Sequence, residues 1–132
     1  MKPRGIRLNN PLNIRHNRNN RWQGIYDPQD DPDFVHFSTM QFGIRAGFVI
    51  LKGYIGKGFC TPERIIQRWA PSHENPTDTY IDYVCKRTGL TRHHVIHFGN
   101  EKEMVALVEA MIKFETGWTV NVTVIQQGYA MV

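Results

Sequence analysis

From position 40 onward, apolar residues recur at helical spacing. Ile44, Phe48, Leu51 and Ile55 repeat every three or four positions, and Gly56 and Gly58 end that segment. Thr61-Pro62 is a start signal, a capping hydroxyl followed by proline in the first turn. Ile65, Ile66 and Trp69 give this second helix its buried side, and Pro71 stops it. A third helix begins at Asn75-Pro76-Thr77, turns Ile81, Val84 and Cys85 inward, and ends at Gly89. Thr91 starts a short turn through Val95. Asn100 caps a long helix that runs to Glu115, with Glu103 three positions on as the return partner of a capping box. The tail after Gly117 reads two ways. Val120, Val122 and Val124 alternate like a strand, whereas Val124 to Met131 fits a closing helix.

The first third of the chain has a different texture. Asn9-Asn10-Pro11, Asn17 to Asn20, and Asp27-Pro28 through Asp31-Pro32 are turn signals. Between them lie short extended candidates at Leu12–Arg15, Gln23–Tyr26 and Phe34–Phe37. The expected fold is mainly α (α+β), with about five or six helices. It forms one domain, with a small N-terminal loop/β lobe over residues 1–39 and a helical lobe over 40–132. At 132 residues the chain is long enough to bury a sizeable core.

Composition narrows the function classes. Nothing approaches the ~20 apolar residues of a membrane span, so no membrane partner is expected. The start, Met1 to Arg7, lacks the apolar stretch of a secretion signal, so synthesis in the cytoplasm is expected. An outside target, as for a wall-acting or virion protein, would require another exit route. Cys60 and Cys85 read as two reduced thiols, since Cys85 falls on the apolar side of its helix. The net charge of +4 favours anionic partners, and nucleic acid, acidic surfaces and bacterial wall polymers all qualify. Much of the positive charge lies in Lys2, Arg4, Arg7, Arg15, Arg18 and Arg21, interleaved with turn chemistry rather than forming a plain basic arm.

One acid breaks the pattern. Met104, Val108 and Met111 mark the apolar stripe of the long helix, and Glu115 falls next on it. Glu101, Glu103 and Glu109 take the solvated face instead. A carboxyl continuing an apolar stripe is expected to be partly desolvated, which raises a carboxyl's pKa and prepares a general acid. The competing reading is a helix-end acid that bends into solvent.

Phe114-Glu115-Thr116-Gly117-Trp118, ending an apolar helix, resembles the Glu-Ser-Gly signature of lysozyme-like peptidoglycan hydrolases and lytic transglycosylases. Asn9 to Arg15, with Trp22 and Gly24 following, resembles the segment that comes soon after the catalytic glutamate in the glucosaminidases of that group. Phe37-Ser38-Thr39 leading into Gly43 to Gly47 and on to Tyr54 is similar to the next helix of that domain. Glu74 to Val84 resembles the transglycosylase Glu-Thr-x-x-Tyr-Val motif, with two extra residues between Glu and Thr. The order is rotated, so the resemblance implies a circularly permuted lysozyme-like domain with its catalytic helix moved from first place to last. Gly5 to Arg15 and Trp69 to Thr77 also resemble small phage-encoded proteins of the virion or structural type.

The resemblance implies cleavage of peptidoglycan glycan strands, with Glu115 as general acid/base and Tyr80 beside it as a second catalytic residue. It implies that Asn10, Asn13, Arg15, Trp22, Glu74 and Thr77 line the sugar subsites. A hydrolase needs a second carboxylate, whereas a lytic transglycosylase does not. Asp33 is the first choice among Asp27, Asp30, Asp31 and Asp33, because it directly precedes the Phe34–Phe37 strand candidate. Turn formation explains all four equally well. No cofactor is expected. His93, His94 and His97 have helical metal-ligand spacing but no flanking carboxylate that completes a known motif, so no metal is expected. The rival function is a non-catalytic phage virion protein on the same fold, with other virion proteins as partners. Nucleic-acid binding is disfavoured, because the Thr77–Lys86 helix carries Asp78 and Asp82 where phosphates would need cations.

Overall fold

The computed structural model describes residues 1–71 and 76–132. Among the described residues six helices carry the fold: α1 (Arg4–Arg7), α2 (Met40–Gly56), α3 (Pro62–Trp69), α4 (Thr77–Thr88), α5 (Glu101–Thr116) and α6 (Val122–Ala130). The fold is mainly α, as the periodicity predicts.

The helix ends obey their sequence signals. Thr61 caps α3 by accepting from the Arg64 N–H, and Asn100 caps α5 by accepting from the Glu103 N–H at 3.1 Å. Gly89 and Gly117 close α4 and α5 in the left-handed region, at φ of 80° and 75°. The capping box is only half formed. The Glu103 carboxylate turns to the His94 ring, whose Nε2 lies 2.9 Å from both of its oxygens. That bond commits His94 to Glu103, and His93 faces Glu63.

α5 is the centre of the core. Met104, Leu107, Val108, Ala110, Met111 and Ile112 are all fully buried, so apolar groups cover most of its circumference. Around it α2 packs on α6, α6 on α5, α5 on α4 and α4 on α3, and α3 meets α2 again. The tail resolves as helix α6, not as a strand. Asn121 caps it by accepting from the Thr123 N–H, and Ile125 and Gly128 face inward at i, i+3 spacing. A Cβ on Gly128 would lie 2.6 Å from Ile44 Cγ2, so the glycine lets α6 approach α2 closely.

The three expected front strands do not form. Among the described residues, β pairing is limited to two isolated antiparallel bridges, Arg15 with Phe34 and Ile25 with Phe37. The reason is Asn10, which is fully buried. Its Nδ2 donates to the carbonyls of Ile14 (2.9 Å) and Val35 (2.8 Å), and its Oδ1 accepts from the Ile14 N–H at 2.9 Å. A side chain thus takes bonds that a strand ladder would use. Asn9 and Asn13, at φ of 53° and 55°, bend the segment out of the extended region. The same lobe contains α1, which the turn-rich pattern did not predict.

This loop lies directly on α2. Gly43 faces the Asn9 backbone and Gly47 faces Leu12, each so closely that a Cβ would overlap its neighbour. Gly53 on the same helix has open space around it. Glycine to alanine should therefore have opposite signs within one helix. Gly53→Ala is expected to stabilise by roughly 0.5–1 kcal/mol through helix propensity. Gly43→Ala is expected to cost about 2 kcal/mol, because the clash is with backbone that cannot swing away. Urea midpoints of the two variants check this, and a stabilised Gly43→Ala would contradict the packing described.

Candidate active site

Glu115 sits one residue before the end of α5, half-buried, where the helix emerges from the core. Both of its carboxyl oxygens are held. The Tyr80 hydroxyl donates to Oε2 at 2.9 Å, and Asn13 Nδ2 donates to Oε1 at 3.1 Å. Three segments distant in sequence therefore meet on one carboxylate: α5, α4 and the front loop.

Each partner is itself fixed. Tyr80 is buried in the first turns of α4, and its ring stacks on Phe114 with centroids 4.0 Å apart and planes 22° off parallel. Burial, together with the Glu115 charge and the hydrogen bond to it, pushes the Tyr80 hydroxyl well above its ordinary range. The phenol keeps its proton and remains a donor. Asn13 is held in its left-handed turn over Gly5, where a Cβ would lie 2.5 Å from Asn13 Oδ1.

Glu115 and Asn13 open onto a cleft of about 740 Å³. Arg15 and Phe34 line its front-lobe side, and Ile50, Tyr54 and Trp69 come from the helical lobe. Among the described lining residues Glu115 is the only carboxylate. Tyr54 and Trp69 meet edge-on at 6.4 Å, and Arg68 lies over the Tyr54 ring.

The structure brings four of the sequence candidates together: Glu115, Tyr80, Asn13 and Arg15. Others go elsewhere. Asn10 lies behind the loop with its amide bonded to backbone, so its role is structural rather than substrate-binding. Thr77 is buried, and its hydroxyl donates to the Ala70 carbonyl. Tyr80 bonds Glu115 and is not among the described cleft-lining residues. Trp22 lines a smaller hollow, with an indole N–H that is buried and has no acceptor among the described residues. Glu74 lies outside the described residues. Asp33 is not among the cleft-lining residues and pairs with Arg4 at 3.0 Å. The walls Ile50, Tyr54 and Trp69 were not anticipated as site residues, because their spacing is that of core positions.

The front lobe that presents Asn13 and Arg15 is braced by Arg4. Its Nε donates to Asp31 Oδ2 at 2.7 Å, and its guanidinium lies 4.4 Å from the Phe34 ring centre. Asp31 Oδ1 also accepts from the N–H groups of Asp33 and Phe34. The bond from Arg4, helped by those backbone donors, holds the Asp31 carboxyl well below the usual carboxylate range.

No family model matches the chain. It is 42% identical over 117 residues to Protein P5 of Pseudoalteromonas phage PM2, a match covering 86% of this chain and 71% of the relative. The chain belongs to the family of this phage protein. The phage side of the sequence reading is thereby supported. Among the described residues no helix is long and apolar enough to cross a membrane.

Because the folded Asp31 value is depressed, its stabilising effect is complete above the unfolded value, about 3.9. It is lost as pH falls from there toward the much lower folded value. Asp31→Asn is expected to lower the urea midpoint at pH 7, with a deficit against wild type that shrinks below about pH 3.9. A deficit unchanged down to strongly acidic pH would show that the carboxylate charge is not what braces the lobe.

Proposed function

We propose that this phage P5-family chain cleaves the glycan strands of peptidoglycan, with Glu115 as the single general acid/base. One observation carries the reading. An acid at the end of a core helix is oriented by two donors, Tyr80 and Asn13, and opens onto a cleft of about 740 Å³.

The chemistry follows from what lines the cleft. Breaking a β-1,4 glycosidic bond needs a proton on the leaving oxygen and relief of the positive charge at the anomeric carbon. Glu115 gives its proton to the leaving O4 as the C1–O4 bond breaks. A hydrolase would then use a second carboxylate to activate water. Asp33 is occupied by Arg4, and the described lining offers no other. One-carboxylate chemistry is therefore favoured. The sugar's own 6-hydroxyl attacks C1, forming the C1–O6 bond, and its proton returns to Glu115. The products are a free 4-hydroxyl and a 1,6-anhydro ring, and the acid is reset without water. On this reading the fold is a lysozyme-like domain, circularly permuted so that its acid-bearing helix lies near the end of the chain.

The match to a phage protein favours a second reading, a virion component that kept the cleft without the chemistry. Zymography on purified peptidoglycan separates the two. Wild type is expected to clear the gel, and Glu115→Gln to lose about 10²–10⁴-fold of activity. Mass spectrometry of the fragments should show anhydro ends. Clearing by both proteins, or by neither, rules out the catalytic reading, and reducing ends rule out the transglycosylase step.

Tyr80→Phe removes one donor to Glu115 while leaving the ring stacked on Phe114. Roughly tenfold lower kcat at unchanged KM is expected, as for loss of one hydrogen bond to a charged group. A change in KM alone would place Tyr80 in substrate binding instead.

A further inference from the structure

The cleft continues beyond the Glu115 site. A second hollow of about 230 Å³ shares His16, Asn17 and Asn20 with it. Glu115 and Arg15 line the first hollow, Arg21 and Trp22 line the second, and the two adjoin at those three shared residues. Two adjoining hollows suit a polymer rather than a single sugar.

Its charge is uneven. Arg15 and Arg21 are both exposed, and among the described residues no carboxylate pairs with either. Elsewhere Arg4, Arg87 and Arg92 are each neutralised by acids. Arg15 is held in place by lying over the Phe34 ring at 4.9 Å, which leaves its guanidinium N–H groups available. Glu115 supplies the one carboxyl among the described residues that line the two hollows.

Resting on the glycan-cleavage reading above, we propose that Arg15 and Arg21 form an anion-reading rim. The rim selects strands whose sugars carry carboxylate side groups over neutral strands. A guanidinium grips a carboxylate with two parallel bonds, and a concave surface focuses that attraction. The polarity also sets the register. Arg15 and Arg21 draw a charged substituent toward themselves, which leaves an uncharged ring edge to lie against the acid. A glycan bearing carboxylates on alternate sugars satisfies both ends. A nucleic acid, with a phosphate on every unit, would bring negative charge onto Glu115.

Binding, rather than cleavage, tests the rim. Glu115→Gln protein is sedimented with native peptidoglycan and with the same material after its carboxylates are converted to amides, and protein with Glu115 intact is titrated with a single-stranded DNA oligonucleotide. Native material is expected to bind about tenfold more tightly than amidated material, as two partly exposed charge contacts would give. Arg15→Gln/Arg21→Gln in that background should lose the same factor on native peptidoglycan and nothing on the amidated form. Arg15→Lys/Arg21→Lys, which keep the charge but not the paired donors, should recover only part of it. Equal binding to native and amidated strands overturns the rim and leaves the glycan reading intact. Absence of binding to either strand overturns both. Tighter binding to DNA than to native peptidoglycan overturns the rim in favour of a nucleic-acid groove.

Discussion

The placement of the whole front lobe depends on the buried side-chain amide of Asn10. It satisfies the Ile14 N–H and the Ile14 and Val35 carbonyls at once, in a loop with almost no ladder of its own. Leaving such groups unpaired in the interior would cost roughly 1–3 kcal/mol each. The amide is close enough to the helices only because Gly43 and Gly47 remove the side chains that would hold the loop away from α2. With the loop seated there, Asn13 reaches across to α5 and meets Glu115. The site is therefore a consequence of close backbone packing several residues away from it.

That dependence explains which parts of the molecule were legible in the residues alone. The helical lobe was readable because its signals are local: Thr61 and Asn100 cap, Gly89 and Gly117 terminate, and the apolar stripes between them repeat at helical spacing. The front lobe was not, because a side chain bonded to backbone leaves no periodic trace. Leu12–Arg15 and Phe34–Phe37 have strand-like composition, yet they meet through the Asn10 amide and a single bridge. The tail was ambiguous in the sequence, with a closing helix as one of its two readings. Its alternating valines fit a strand, but the Asn121 cap and the Gly128 contact with Ile44 favour a helix, and tertiary packing decides.

The site divides along the same line. Glu115 could be picked out because an acid on an apolar stripe conflicts with its own helix. Tyr80 and Asn13 came from resemblance to known motifs, not from spacing, since contacts spanning 35 and 102 residues have no local signature. Tyr54, Trp69 and Ile50 remained hidden because a cleft wall and a core face use the same residue types at the same period. Only the shape of the assembled molecule tells them apart.

The arrangement at Glu115 is also more specific than structural tethering requires. If the only task were to tie α5, α4 and the front loop together, a glutamine would serve. Its carbonyl could accept from Asn13, and its amide could donate to the Tyr80 oxygen, without placing an ionisable group at the end of a core helix. A carboxyl brings a proton that can be given and taken back, and here it stands at the mouth of an open cleft. Both donors fix its plane, and Tyr80 is kept protonated by its own burial. Such preorganisation has a physical use when a proton must move at a defined place. It distinguishes Glu115 from Asp31 and Asp33, which Arg4 neutralises at the side of the lobe.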